Sequence, residues 1–264
     1  MLAAERRRVI LAATVAQGAV RVMDLALELG VSEMTIRRDL DRLEEAGELT
    51  KVHGGAVRSG GSAGRGLEPR SAQKAVRATA EKRAIALAAV DLVADGMTIA
   101  VGAGTTTLEL ARLLRGRRVS VVTNSISIFH VLTDPEEDRF TGEPAVQLTG
   151  GQRTPSDALV GPVANAMLER VRCDLAFVGA HGIDPRAGFT TPNIGEAETN
   201  RRLIGSARST VLMVDHTKFG EIGAHLFAPF ADVDGLIMDD GVSAAARDVL
   251  AAAVPLTVAN GGTA

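Results

Sequence analysis

The segment between Val31 and Gly47 constrains the fold more than any other, because both ends of one helix are encoded in it. Ser32 can cap a helix with its hydroxyl, and Val31 just before it can pack against Ile36 as a hydrophobic staple. Gly47 supplies the left-handed residue at which helices commonly end. The sequence therefore predicts one helix whose beginning and end are both fixed by local chemistry.

Apolar residues inside this helix recur at Ile36, Leu40 and Leu43, the spacing of a single buried stripe. The cap and the side chains outside the stripe are the predicted DNA contacts: Ser32, Glu33, Met34, Thr35, Arg37, Arg38 and Arg42. Arginine forks fit phosphate oxygens and the O6/N7 edge of guanine, and helix-turn-helix proteins present the first turns of one helix to the major groove. The alternative is a solvated amphipathic helix, because acids that could pair with the arginines lie among them at Asp39, Asp41, Glu44 and Glu45.

The residues before this helix predict the rest of a helix-turn-helix. Residues 21–29 form a short apolar pattern ended by Gly30, and the turn that follows has the length that the motif needs. Residues 4–17 predict a further helix. These three helices are expected to share one core.

The residues after it predict a wing. Residues 48–52 and 56–58 have the pattern of two strands, and the glycine-rich turn 53–55 joins them. Lys51 and His53, both in this wing, complete the predicted DNA contacts.

Helix, turn and wing together resemble the amino-terminal signature of the DeoR family of bacterial transcription regulators. The signature has a valine-serine start, a T-I-R-R-D-L core and an H-G-G-A wing, which here are residues 31–32, 35–40 and 53–56. The match covers residues 5–57 with all three parts in register. Lys51 stands where the family usually has arginine, a change that keeps the charge but not the guanidinium fork.

Composition bounds the other possibilities. The formal net charge is -3, and residues 1–58 are neutral with nine Lys/Arg against nine Asp/Glu, so any DNA affinity must come from the arrangement of charge. The sequence has no hydrophobic run long enough for a membrane span and no secretory signal, which predicts a cytoplasmic protein with no membrane partner. The single cysteine, Cys173, excludes an internal disulfide and is expected to pack as a small hydrophobe.

A Gly- and Ser-rich stretch, residues 59–72, is predicted to link a DNA-binding domain of residues 1–58 to a second domain of residues 73–264. In the second domain, apolar strands alternate with helices. The predicted helices are 73–94, 106–115, 126–132, 159–170, 193–206 and 243–253, and the predicted strands are 97–101, 119–123, 145–149, 174–179, 209–214, 235–238 and 255–259. Strands without polar alternation, separated by helices, indicate a mostly parallel sheet covered on both faces.

The glycine loop, defined as residues 102–107, is the most informative connection in this domain. Its candidate ligand contacts are Gly102, Gly104, Thr105, Thr106 and Thr107. Glycines let the backbone approach a ligand, and the following helix start offers unpaired N–H groups and hydroxyls to a phosphate. The alternative is an ordinary strand-to-helix turn capped by threonine. A dinucleotide site is disfavoured because Thr107 replaces the third glycine, and no lysine completes a Walker A loop.

Further candidates follow other predicted strands, and the carboxyl ends of parallel strands are where ligands bind in such sheets. They are Asn124, Ser125, Gly150, Gly151, Asp184, Asp215 and Lys218, with His181 and His216 as additional hydrogen-bonding groups. Lysine suits a phosphate, and the acids, amide and imidazoles suit sugar hydroxyls. Taken singly, each is more often a loop residue in water.

Residues 76–259 resemble the DeoR sensor domain, through Glu81-Lys82, the glycine loop, residues 123–125, 150–151 and 188–190, and Asp215-x-x-Lys218-Phe219-Gly220. The resemblance implies an α/β fold related to ribose-5-phosphate isomerase and coenzyme A transferases, and a phosphorylated sugar as effector. It also implies a homo-oligomer, dimer or tetramer, that binds a double-stranded DNA operator, most often as a repressor, with no cofactor or metal. Gly102 stands where the family often has aspartate.

Two other functions compete with a sugar-responsive regulator. One is a sugar-phosphate isomerase carrying a DNA-binding domain, with Asp184, Glu196 or Asp215 as base and Lys218 as electrostatic stabiliser. The other is an interaction domain without a ligand. We expect a regulator rather than an enzyme, because the acids have no spacing that can be tied to proton transfer.

Overall fold

The computed structural model describes residues 3–17, 19–46, 48–52, 55–58, 78–134 and 144–260. The chain divides into two compact units, Met1–Arg65 and Gly66–Ala264. The predicted linker 59–72, together with Gly47 and His53, lies outside the described residues, so those predictions stay open. Among the described residues, no helix combines the length and apolar character needed to cross a membrane.

The first unit is a helix-turn-helix with a wing, as predicted. Its elements are α1 (Ala3–Gln17), β1 (Ala19–Arg21), α2 (Val22–Leu29), α3 (Glu33–Glu45), β2 (Leu49–Val52) and β3 (Gly55–Arg58). The wing strands β2 and β3 pair antiparallel. On its other edge β3 pairs with β1, a three-residue strand that the sequence pattern did not reveal.

Local chemistry fixes the turn into α3. Gly30 adopts φ 63°, the left-handed conformation that ends α2, and the Ser32 hydroxyl accepts a hydrogen bond from the Thr35 N–H at 3.3 Å. Ile36 and Leu40 are fully buried, and Leu43 is buried beside them. The predicted cap and apolar stripe of α3 are both confirmed.

The second unit is built on a seven-stranded parallel sheet. Its helices are α4 (Thr79–Val90), α5 (Thr105–Leu114), α6 (Ile126–Thr133), α7 (Pro162–Leu168), α8 (Ile194–Gly205) and α9 (Ala244–Ala251). The strands of the sheet are β4 (Thr98–Val101), β5 (Ser120–Thr123), β6 (Ala145–Leu148), β9 (Cys173–Gly179), β12 (Ala207–Met213), β14 (Gly235–Asp239) and β15 (Leu256–Ala259), in the order β15-β14-β12-β9-β4-β5-β6. All seven were predicted.

Helices cover both faces of the sheet, as expected for strands of continuous apolar residues. One buried cluster contains side chains of α4, α5 and α6, and the other contains side chains of α7, α8 and α9. Cys173 lies in the second cluster, where burial raises the pKa of its thiol. The cysteine is therefore a packed small hydrophobe, as predicted.

Short antiparallel pairs at the carboxyl edge were missed. In one of them, β7 (Gln152–Arg153) pairs with β8 (Leu159–Val160). In the other set, β11 (Gly188–Thr191) lies between β10 (Gly182–Asp184) and β13 (His225–Ala228) and pairs with both. The predicted helix 159–170 was wrong over its first residues, because Gly161 at φ 92° separates β8 from a helix that starts at Pro162. The described helix in the region predicted as 73–94 ends at Val90.

The strand order reverses beside β4, since the chain runs from β4 outward to β6 and then returns to place β9 on the other side of β4. In open α/β sheets the crevice at such a switch point is where ligands bind. The glycine loop follows β4, so it lies at this position.

Candidate DNA-binding helix and effector site

The face of α3 opposite its buried stripe carries the predicted DNA contacts. The Arg37 side chain is 56% exposed, and Arg38 and Arg42 are also exposed. Met34 is exposed at 59%. The hydroxyls of Ser32, the N-cap, and Thr35, in the first turn, are hydrogen-bonded to each other at 2.9 Å.

The four acids of α3 whose side chains the structure describes are each engaged by a residue of the same unit. Asp39 is 4% exposed and accepts a hydrogen bond from Arg6 Nε at 2.5 Å, so its charge is balanced inside the unit. Glu33 pairs with Arg37 at 3.2 Å, but both side chains are half exposed, and such a pair contributes little. Arg38 and Arg42 form no ion pair or side-chain hydrogen bond with any residue that the structure describes.

Lys51 of the wing is held by α3. Its ammonium pairs with Asp41, and its backbone N–H donates to Glu44 Oε1 at 2.9 Å. A contact between Lys51 and DNA would have to compete with Asp41. The structure therefore gives Lys51 a role in joining wing to helix that the sequence prediction did not include.

The glycine loop is shaped by hydrogen bonds on its inner side. The Gly102 N–H donates to the Phe177 carbonyl at 2.9 Å, and the Ala103 N–H donates to Asn124 Oδ1 at 2.9 Å. The fully buried Thr107 hydroxyl donates to the carbonyls of Gly102 at 2.7 Å and Gly104 at 3.0 Å. A Cβ on Gly102 would make ordinary contacts with Leu203 and Val178, so the backbone does not require glycine there.

The outer side of the loop offers donors. Gly104 is the N-cap of α5 and brings no side chain, so the first N–H groups of the helix have neither an intrahelical partner nor a side-chain cap. Thr106 is buried, with 7% of the residue exposed, and its hydroxyl has no hydrogen-bond partner among the described residues. Buried hydroxyls without a partner are uncommon, and one beside bare N–H groups suits an anionic ligand.

Asn124 and Ser125 support this loop from the end of β5. Asn124 is 1% exposed, and it donates through Nδ2 to the Leu159 carbonyl at 3.2 Å while Oδ1 holds Ala103. Ser125 caps α6 by accepting from the Ile128 N–H at 3.2 Å. Their hydrogen bonds position the backbone, a role different from the predicted ligand contact.

The double glycine after β6 is required by geometry. Gly150 and Gly151 have φ of 71° and 117°, and a Cβ on Gly151 would stand 2.5 Å from the Val160 carbonyl oxygen. These glycines let the hairpin β7–β8 fold back against the end of β6.

The two predicted aspartates have local partners. Asp184 ends β10 in the antiparallel hairpin, not a strand of the parallel sheet, and its carboxylate accepts the N–H groups of Arg186 and Ala187 at 2.8 and 2.9 Å. Asp215 is 2% exposed and accepts from the N–H and hydroxyl of Thr217. Asp184 therefore lies in a hairpin that follows β9 and not directly at the end of that strand, and Asp215 shapes the turn that contains Lys218.

Two polar clusters at the same edge join candidate residues to partners that the sequence did not reveal. Glu196 accepts hydrogen bonds from the hydroxyls of Thr154, Ser156 and Thr191. His216 is bonded to the buried carboxylate of Asp239. Their partners are 5 to 42 residues apart in sequence, so spacing alone did not reveal them. Among the described residues, no group of three or more His, Cys, Asp or Glu side chains could hold a metal.

A winged unit with arginines exposed on α3, and a parallel sheet with a bare helix start at its switch point, define a class of protein: a DNA-binding regulator with a ligand-sensing domain. Residues 6–59 match the family described as DeoR-like helix-turn-helix domain, and residues 77–240 match the one described as DeoR C terminal sensor domain. The chain belongs to the DeoR family of transcriptional regulators.

Relatives extend this similarity over most of the chain. The HTH-type transcriptional regulator GlpR of Haloferax volcanii is 37% identical over 263 residues, 99% of each chain. The putative aga operon transcriptional repressor of Escherichia coli O157:H7 is 34% identical over 91% of this chain and 87% of its own. The lactose phosphotransferase system repressor of Staphylococcus aureus is 34% identical over 84% and 86%. A solved ribose 5-phosphate isomerase A from Methanocaldococcus jannaschii aligns over 53% of this chain and 54% of its own, with 21% identity and a TM-score of 0.38.

Proposed function

We propose that this regulator represses a carbohydrate operon and releases its operator when a phosphorylated sugar binds at the glycine loop. Two of the relatives are named as repressors, one of an aga operon and one of a lactose phosphotransferase system. These names support repression as the direction of regulation and a carbohydrate operon as the target. The bare start of α5 beside the Thr106 hydroxyl is the observation that carries the effector proposal.

The DNA contacts belong to α3, whose arginines enter the major groove of each operator half-site. A homo-oligomer presents two such helices, and their separation must match half-sites about 34 Å apart or a multiple of that. The effector acts by changing that separation. A 100-fold loss of operator affinity takes about 2.7 kcal/mol of coupling between the two sites.

This function does not include turnover of the sugar phosphate. Two of the bases considered for an isomerase, Asp184 and Asp215, have carboxylates engaged by N–H groups or a hydroxyl of their own turns. We expect no conversion of aldose phosphates to ketose phosphates. Conversion that Glu196→Gln abolishes would contradict this part of the proposal.

The effector site is tested with Thr106→Val, which removes the hydroxyl and keeps the volume. Calorimetric titration of the full chain with inorganic phosphate and with a panel of aldose and ketose phosphates should detect binding to the wild type. We expect the variant to bind every one of these ligands at least about tenfold more weakly, since a hydrogen bond to a charged group contributes roughly 1.5 to 3 kcal/mol.

Thr133→Val is the matched control, because Thr133 is a helical threonine on the exposed side of α6. The control should bind as the wild type does. Equal affinities of wild type and Thr106→Val would contradict the placement of the phosphate at the glycine loop.

A further inference from the structure

The histidine after β12 is held by a buried acid at the same sheet edge as the glycine loop. His216 follows the end of β12, and Asp239 ends β14, which pairs parallel with β12. β12 is two strands away from β4 in the sheet. With strands about 4.8 Å apart, the two strand ends are separated by about 10 Å, a span comparable to the length of a phosphorylated pentose or hexose.

Asp239 is committed to orienting this histidine. It is 1% exposed, its Oδ1 accepts from the His216 backbone N–H at 2.6 Å, and its Oδ2 lies 2.6 Å from His216 Nδ1. Because a carboxylate only accepts hydrogen bonds, the ring carries its proton on Nδ1. Nε2 is then the atom left for another partner.

Gly241 completes the arrangement. Its N–H donates to Asp239 Oδ2 at 3.0 Å. A Cβ at this position would stand 2.5 Å from His216 Nδ1 and 2.7 Å from Asp239 Oδ2. The backbone of residue 241 therefore lies directly against the bonded pair, and a side chain at this position would displace the ring or the carboxylate.

The second ring nitrogen of His216, Nε2, is not bonded within the part of the fold that the structure describes. The His216 side chain is 34% exposed, and Nε2 makes no hydrogen bond with any described residue. Burial of a carboxylate against Nδ1 gives the imidazole a fixed orientation, which is how proteins position a histidine that acts on a ligand.

We propose that His216 is an effector-contacting residue whose Nε2 bonds a hydroxyl of the sugar whose phosphate occupies the glycine loop, with Asp239 and Gly241 as positioning residues. This inference rests on the proposed function. It assigns recognition of the sugar to the β12 edge and recognition of the phosphate to the α5 start, so the two parts of the ligand are read by separate residues.

The test compares inorganic phosphate with the phosphorylated sugar that the wild type binds best, by calorimetry on the full chain. For His216→Ala we expect unchanged affinity for inorganic phosphate and about tenfold weaker binding of the sugar phosphate, the effect of one lost hydrogen bond to a ligand. His216→Gln, which places an amide near the position of Nε2, should recover part of the loss. His130→Ala is the control, since His130 is an exposed histidine on α6.

Asp239→Asn tests the positioning role in the same assay, and it should weaken binding of the sugar phosphate without affecting binding of inorganic phosphate.

Unchanged sugar-phosphate affinity in His216→Ala would overturn the inference, and so would an equal loss of affinity for both ligands. If the wild type itself bound neither ligand, the proposed function would fail, which is a different result from a failure confined to the variants.

Discussion

At the residue scale, the pairing of acids in the first unit determines which arginines are available to bind DNA. Residues 1–58 together have no net charge, and Asp39 is buried against Arg6 while Asp41 pairs with Lys51 of the wing. Arg38 and Arg42 are exposed without a partner among the described residues. The α3 arginines can therefore remain exposed within a neutral segment, because Asp39 and Asp41 pair with Arg6 and Lys51 and not with Arg38 or Arg42.

Arg38→Ala should weaken operator binding more than removal of an arginine elsewhere. If Arg38 contacts a base, we expect operator binding to weaken by about 1 to 3 kcal/mol and sequence specificity to relax at that base. If it contacts phosphate, we expect affinity for all DNA sequences to fall equally and the salt dependence of log Kd to decrease by about 1 in slope. Fluorescence anisotropy on duplexes selected from a randomised pool, at several salt concentrations, separates these results.

Arg208→Ala is the control for that series, because Arg208 is an exposed arginine at the start of β12 in the other unit. Arg37→Ala should show a smaller effect than Arg38→Ala, since Arg37 already shares its charge with Glu33. Wild-type affinity in both α3 variants would contradict the assignment of α3 as the DNA-binding helix.

At the element scale, the hairpin β7–β8 connects the elements around the proposed effector site. The Asp157 carboxylate accepts from the Ser127 hydroxyl of α6 at 2.6 Å, and Thr154 and Ser156 donate to Glu196 of α8. The Leu159 N–H donates to the Asn124 carbonyl at 2.7 Å, beside the glycine loop. A ligand that moved this loop would therefore move the hairpin and the start of α8 with it.

Asp157 makes the hairpin sensitive to acid. Burial raises the pKa of Asp157, but hydrogen bonds from Ser127 and Arg153 outweigh burial and leave the pKa below its ordinary value of 3.8. A lowered pKa stabilises the folded state above pH 3.8, and this contribution disappears as the pH falls through the folded value.

Urea unfolding of wild type and Asp157→Asn between pH 6 and pH 3 measures that contribution. Asparagine tolerates the positive φ of 70° at this position, so the backbone is preserved. The wild type should be the more stable protein near neutrality, and the difference should shrink below pH 3.8. A difference independent of pH would show that the ionised carboxylate is not responsible.

The sequence predicted those elements whose signal is local. The seven strands of the sheet are apolar runs, and the Ser32 cap and Gly30 stop lie within a few residues of the helices they bound. The hairpin β7–β8 escaped prediction because it has two residues per strand and depends on pairing and on Glu196, 42 residues from Thr154. For the same reason the pattern showed a loop at 102–107 but not that Thr107 and Asn124 are used to build it.

At the scale of the whole molecule, the proposed regulation requires that a phosphate site in one unit control DNA affinity in the other. Coupling of this kind is reciprocal, so an effector that lowers operator affinity by some factor must itself bind the operator complex more weakly by that factor. The effector can act only through a difference in its affinity for the two states.

The most direct measurement is the operator dissociation constant of the full chain at increasing concentrations of the phosphorylated sugar that it binds best. We expect this constant to rise to a plateau. We also expect Thr106→Val to bind the operator normally without the sugar and to need about tenfold more sugar to reach the same plateau. An operator dissociation constant that did not change when the sugar site was saturated would show that the sugar does not control DNA binding.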